Sequence, residues 1–208
     1  FECVQDLTGY MQLCYIGYDD RELYESLFYK IGDILSQIWE KFLKEYGDIY
    51  CVCRFGDDLG FNTTSLLSAD DIRELIIPQY KRIVEIVHKY DKPFLLHSCG
   101  CIFNVMDDII DVAKIDAKHS NEDSIAPFQK WIDDYGSKIG NFGGIDTNVL
   151  CDIDHTDLDE YVSNIVNLAM KKNGGVAIGS GNSIPDYVSP KRYQKAVNIV
   201  RKMRGDDQ

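Results

Sequence analysis

"PFLLHSCGCIFNVMDDIIDVAKIDAKHS", residues Pro93 to Ser120, sets two short apolar runs on either side of a segment with helical spacing, and each run ends in polar residues. Pro93 to Ser98 and Ile115 to Ser120 read as strands and the segment between them as a short helix, so the stretch is a strand, a crossover and a second strand. Two strands joined by a helical crossover lie parallel.

The same rhythm extends in both directions. Ile49 to Phe55, "IYCVCRF", reads as a strand, followed by Gly56–Asp58 and a helix that opens at Ser68 with Asp71 three residues on, the spacing of a capping box. Pro78 should divide or kink that helix. Downstream, Lys138 to Asp146 and Gly175 to Ser183 read as strands and alternate with helices over "SIAPFQKWIDDYG", "DLDEYVSNIVNLAMKKN" and "SPKRYQKAVNIVRKM". Ser189 stands as N-cap of the last, with Pro190 at its first position. Upstream, Asp19 to Tyr46 carries apolar residues at helical spacing, with Gly32 a point where the helix could break.

Five strands alternating with helices predict an α/β fold with a parallel sheet. Each strand ends in polar or ligating residues: Asp57 and Asp58, His97 with Cys99, His119, Asp146, and Ser180 with Asn182. An open doubly wound sheet concentrates its site at one switch point, whereas every strand of a (β/α)8 barrel delivers residues to one end. Polar ends on all five therefore predict a TIM barrel. Eight units take about 250 residues; with 208 residues and five strands, the expectation is the C-terminal portion of such a barrel, about five β/α units in one domain over 1–208 with the N-terminal strands absent.

A net charge of −12 excludes a broadly basic surface of the kind that nucleic acids and anionic membranes attract. No apolar stretch has the length of a membrane span, and seven scattered cysteines make a poor disulfide framework, so a soluble cytoplasmic protein is expected.

His97 and Cys99 alternate with Ser98 and project to one side if the strand persists. Imidazole and thiolate suit zinc, and the lack of a second paired motif favours an open, catalytic type of site over a structural knot. The alternative is a buried cysteine beside a hydrogen-bonded histidine. Asp57 and Asp58 could bind a cation, take a proton or fix a substrate's nitrogen atoms, or simply cap a loop. Asp146 is open to the same readings, and His119 to a structural or substrate-orienting one. Cys51 and Cys53 are expected on one strand face in the core. Gly179–Ser183 could cradle an anion but lacks the lysine of a phosphate loop.

Taken together, "GDDLGFNTTSLLSADDIRELIIPQYKRIVEIVHKYDKPFLLHSCG", "NFGGID" and "GSGNSIPDYVSPKRYQKAV" resemble the uroporphyrinogen decarboxylase superfamily from about Tyr10 onward. The resemblance implies a (β/α)8 barrel and two chemistries. The decarboxylases of porphyrin biosynthesis use no metal, and hold an octacarboxylate with arginines of the N-terminal strands; here Arg54 is the main basic residue at a strand end. The methyltransferase branch binds zinc through an H-x-C and a later cysteine, and activates a thiol to accept methyl from a corrinoid supplied by a partner protein. His97 and Cys99 match that H-x-C, while Ser180 and Asn182 stand where the cysteine is expected. A third ligand is then sought in Cys101, His119, Asp58 or another segment.

The resemblance therefore implies metal-assisted methyl transfer, with Asp57, Asp58 and Asp146 catalytic, Arg54, His119, Ser180 and Asn182 on a small-molecule substrate, and zinc on His97 and Cys99. A decarboxylase-like enzyme and an inactive, self-associating barrel fragment are the alternatives.

Overall fold

The computed structural model describes residues 1–151, 157–171 and 174–206. They form two compact units, Phe1–Asp116 and Ala117–Gln208.

In the first unit, three helices come first: α1, Glu2–Thr8; α2, Tyr10–Asp19; and α3, Arg21–Tyr46. The helical spacing predicts α3 from Asp19 and neither α1 nor α2. Helix α3 starts at Asp20, whose carboxylate accepts from Leu23 N at 3.0 Å, and it runs unbroken through Gly32. Gly32 serves packing: a Cβ there would lie 2.2 Å from Oε1 of Gln79 on the neighbouring helix.

Strand β1, Cys53–Gly56, is shorter than the run that predicts it, because Gly47–Ile49 winds into a 3₁₀ turn. Cys53 is buried, whereas Cys51 falls outside the strand and is exposed, which corrects its expected place in the core.

Ser68 caps α4, Ala69–Asp71, by accepting from Asp71 N at 3.0 Å, as its spacing from Asp71 predicts. The chain then passes through a π-helical turn, Ile72–Ile76, into α5, Ile77–Lys89. Pro78 explains the widened turn, since it has no N–H to donate and its ring would crowd the carbonyl of Glu74 in a regular helix. Strand β2, Phe94–His97, pairs parallel with β1, Gly56 lying opposite His97. Helix α6, Phe103–Asp108, ends in a second π-helical turn, Ile109–Ala113, stopped by Lys114 at φ 64°. Tyr24, Phe28, Ile76, Tyr80, Ile83, Val87, Phe94 and Leu96 fill the core, with Phe55 stacked at an angle on Phe94 and Tyr80.

In the second unit, β3, Ala117–His119, pairs parallel with β4, Gly140–Ile145, and β4 with β5, Val176–Ser180. The helices are α7, Phe128–Tyr135; α8, Thr147–Cys151; α9, Leu158–Lys171; and α10, Pro190–Arg204. The short α8 is absent from the sequence reading, and residues 172 and 173, expected at the end of α9, lie outside the described residues. Pro190 opens α10 as predicted, but the Ser189 side chain makes no capping bond. Trp131, Ile132, Ile145, Val162 and Val166 form this core.

Strand and helix alternate in both units with parallel pairing throughout, so the fold class is α/β. No helix among the described residues is long and apolar enough to cross a membrane.

Phe94 is fully buried between the β1 side chains and α3, where it meets Phe55 and Trp39. Phe94→Ala should cost about 3–5 kcal/mol, read as a lower urea midpoint at unchanged m-value. An unmoved midpoint would show that Phe94 is not part of the cooperative core.

Candidate metal centre

Past their last paired residues, β1 and β2 do not separate. Asp57 N donates to His97 O at 2.9 Å, Leu59 N to Ser98 Oγ at 3.1 Å, Gly60 N to Cys99 O at 3.0 Å, and Cys101 N to Phe61 O at 2.7 Å. The two following loops are thus zipped together. Glycine makes this possible: a Cβ on Gly100, which sits at φ +84°, would lie 2.1 Å from the carbonyl carbon of Gly60, and one on Gly60 would lie 2.5 Å from that of Gly100. Only hydrogen fits between the two backbones.

The zipped loops bring three different donors together. His97 Nε2 lies 3.5 Å from Cys99 Sγ and 3.7 Å from Asp58 Oδ1, and ligand atoms of all three fall within 4.8 Å of one another. Zinc bonds of about 2.0 Å to nitrogen and about 2.3 Å to sulfur at a tetrahedral angle place those two atoms about 3.5 Å apart. The donor set therefore fits a zinc ion. Cys99 N donates to Asp58 Oδ1 at 2.8 Å, so the peptide of one candidate donor orients the carboxylate of another. The His97 side chain is 10% exposed and that of Asp58 38%, leaving the cluster open on the Asp58 side.

Asp57 occupies a different environment. It is buried, and its carboxylate accepts from the backbone nitrogens of Phe1 and Glu2, each at 2.7 Å, and from Tyr80 Oη at 2.6 Å. Burial, then the Asp57 charge, push the Tyr80 hydroxyl well above its ordinary pKa, so it stays a donor. Glu2 faces the same loop and accepts from Asp58 N at 2.9 Å. Arg54 is exposed and precedes Gly56, the register partner of His97, by two residues on one strand face.

The second unit gathers other expected residues. His119 Nε2 donates to Ser180 O at 3.0 Å, joining the ends of β3 and β5. Asn182 Oδ1 accepts from Ser183 N at 2.8 Å. Asp146 is buried and accepts from Asp123 N and Asn148 N, each at 2.6 Å. Beside it, Tyr161 Oη donates to Asp123 Oδ2 at 2.6 Å. Burial raises both the Asp123 carboxyl and the Tyr161 hydroxyl above their ordinary values. Gly144 N is held by Asn121 Oδ1 at 2.7 Å.

Glu2, Tyr80, Ser98, Gly100, Asn121 and Tyr161 were missed in the sequence. Ser98 and Gly100 flank Cys99 and could have been found there by asking what fixes the loop, whereas Glu2 lies more than fifty residues from its partner and carries no local signal.

With this geometry in hand, the comparisons place the chain. Residues 4–203 match the family model described as uroporphyrinogen decarboxylase (URO-D), and the chain belongs to that family. Among solved structures it is similar to a methyltransferase from Methanosarcina mazei, with a TM-score of 0.71 at 17% identity, over 97% of this chain and 56% of that one. The chain thus spans little more than half the length of that methyltransferase, and the likeness supports a partial TIM-barrel fold. No curated protein matches.

Gly100→Ala should leave the helices intact and disperse the cluster, so circular dichroism should stay near that of the parent while zinc retention is lost. Unchanged zinc content would separate the glycine contact from the donor geometry. In the second unit, the raised Asp123 pKa means that the folded state holds a proton more tightly than the unfolded one. Its stabilisation is full below the unfolded carboxyl pKa and is lost as pH rises through the folded value. Asp123→Asn should flatten that fall in a pH series of urea midpoints; an unaltered slope would assign it elsewhere.

Proposed function

We propose that this chain carries the metal site of a methyltransferase, with zinc held by Asp58, His97 and Cys99 and a fourth position left for the reacting thiol. The observation that supports this most directly is the His97–Cys99–Asp58 cluster, in which nitrogen and sulfur stand at a zinc-like 3.5 Å and the Asp58 oxygen lies 3.7 Å from the nitrogen, all on zipped loops. Three protein ligands with one position open is the arrangement of catalytic zinc. Asp58 takes the place of the second cysteine of the methyltransferase pattern.

When bound, zinc would lower the pKa of a coordinating thiol and keep it a thiolate at neutral pH. The chain's own residues set the conditions. His97 and Cys99 present an imidazole and a sulfur donor from one strand end, Cys99 N–H keeps the Asp58 carboxylate turned toward them, and Asp58 leaves its side of the site accessible to a small molecule. Asp57 and Asp146 act through the loops they hold. Within the first unit Arg54, on the strand face of His97, is proposed for substrate contact; within the second unit His119, Ser180 and Asn182, at the ends of β3 and β5, are proposed separately for the same role. The methyl group would come from a corrinoid carried by a partner protein.

Protein isolated without chelator should carry close to one zinc per chain, and His97→Ala and Cys99→Ser should each lose it. Methylcobalamin, a soluble methyl donor, and a simple thiol should give methyl thioether, cob(I)alamin and a released proton with the parent protein and not with the variants. Full methyl transfer after complete zinc removal would sink this reading.

A further inference from the structure

The cluster contains two ligands from β2 and its loop but only one, Asp58, from the loop after β1. A half-exposed aspartate in a turn ordinarily samples several rotamers, and its capture by a metal then costs conformational freedom. In this chain its peptide is held by a residue remote in sequence. Glu2 Oε2 accepts from Asp58 N at 2.9 Å, while Glu2 N donates to Asp57 Oδ1 at 2.7 Å. These two bonds form a reciprocal clasp between the first turn of α1 and the Asp57–Asp58 peptide, on the same principle as a capping box. The buried Tyr80 anchors the far side by donating to Asp57 Oδ2 at 2.6 Å. From there the hydrogen bonds lead into the site, because Cys99 N reaches Asp58 Oδ1 at 2.8 Å.

We infer that Glu2 is a positioning residue of the metal centre: by holding the Asp58 peptide it fixes the Asp58 carboxylate as the third ligand before a metal arrives. Glu2 acts through Asp58 and is not itself a ligand. Partners that orient metal ligands in this way contribute about 10–100-fold to metal affinity. The inference rests on the proposed zinc site, and its test separates the two.

The test uses cobalt(II), whose visible d–d bands report ligand number and type, in the full chain with Glu2→Gln and Glu2→Leu. Gln keeps an oxygen that accepts from Asp58 N, whereas Leu keeps bulk and helix propensity without an acceptor. Glu2→Gln should retain the parent spectrum and an affinity within about threefold of it, while Glu2→Leu should shift the bands toward a site lacking the carboxylate and weaken cobalt binding about 10–100-fold. Equal spectra and affinities for the parent and Glu2→Leu would overturn the role of Glu2 and leave the metal site standing. A parent chain that binds no cobalt would overturn both. Amide exchange in the parent adds a readout that does not depend on how well the Leu variant folds: the Asp58 N–H should exchange slowly, and rapid exchange would overturn the clasp.

Discussion

The closest constraint in the first unit is the contact of two backbones at Gly60 and Gly100, where neither position has room for a Cβ. Parallel strands normally part at their ends so that each can enter its crossover. Here the bonds from Gly60 N to Cys99 O and from Cys101 N to Phe61 O prolong the association beyond the strands. The result is a rigid platform of main chain, and the three donor side chains stand on it. A donor set on two independent loops would have to be ordered when it binds, whereas loops joined in this way are brought together by folding. The glycines are therefore as much a condition of the site as the histidine and cysteine.

This explains what could be read from the sequence and what could not. Alternation of apolar strands with helical spacing is a local signal, and the five strands and the polar residues at their ends follow from it. Strand length is not local. The run over Ile49–Phe55 has strand composition, yet pairing with β2 begins only at Cys53, because the 3₁₀ turn at Gly47–Ile49 places Cys51 and Val52 outside the ladder. Gly32 looked like a breaking point and is instead a packing site, a distinction set by Gln79, 47 residues later.

The pair Asp57 and Asp58 shows the limit most clearly. Two identical side chains, adjacent in sequence, have separate fates. Asp57 is enclosed and spends its lone pairs on the start of α1 and on Tyr80, whereas Asp58 keeps one side toward solvent and turns toward Cys99 and His97. Nothing in the order of residues distinguishes them. The difference arises from partners more than twenty residues away on either side, and it becomes readable only once the chain has folded.

Asp146 repeats the logic of Asp57 in the second unit, bracing the loop after β3 through Asp123 N and the start of α8 through Asn148 N. A carboxylate at a strand end is well suited to such bracing because it can take several N–H groups of the loops that converge there, and each charge-assisted bond offsets part of the cost of burial. Acidic strand ends consequently divide into those that build the rim and those that remain for chemistry. Asp58 differs from Asp57 and Asp146 in a combination of surroundings: nitrogen and sulfur donors within 4.8 Å, an accessible side, and a peptide held by Glu2.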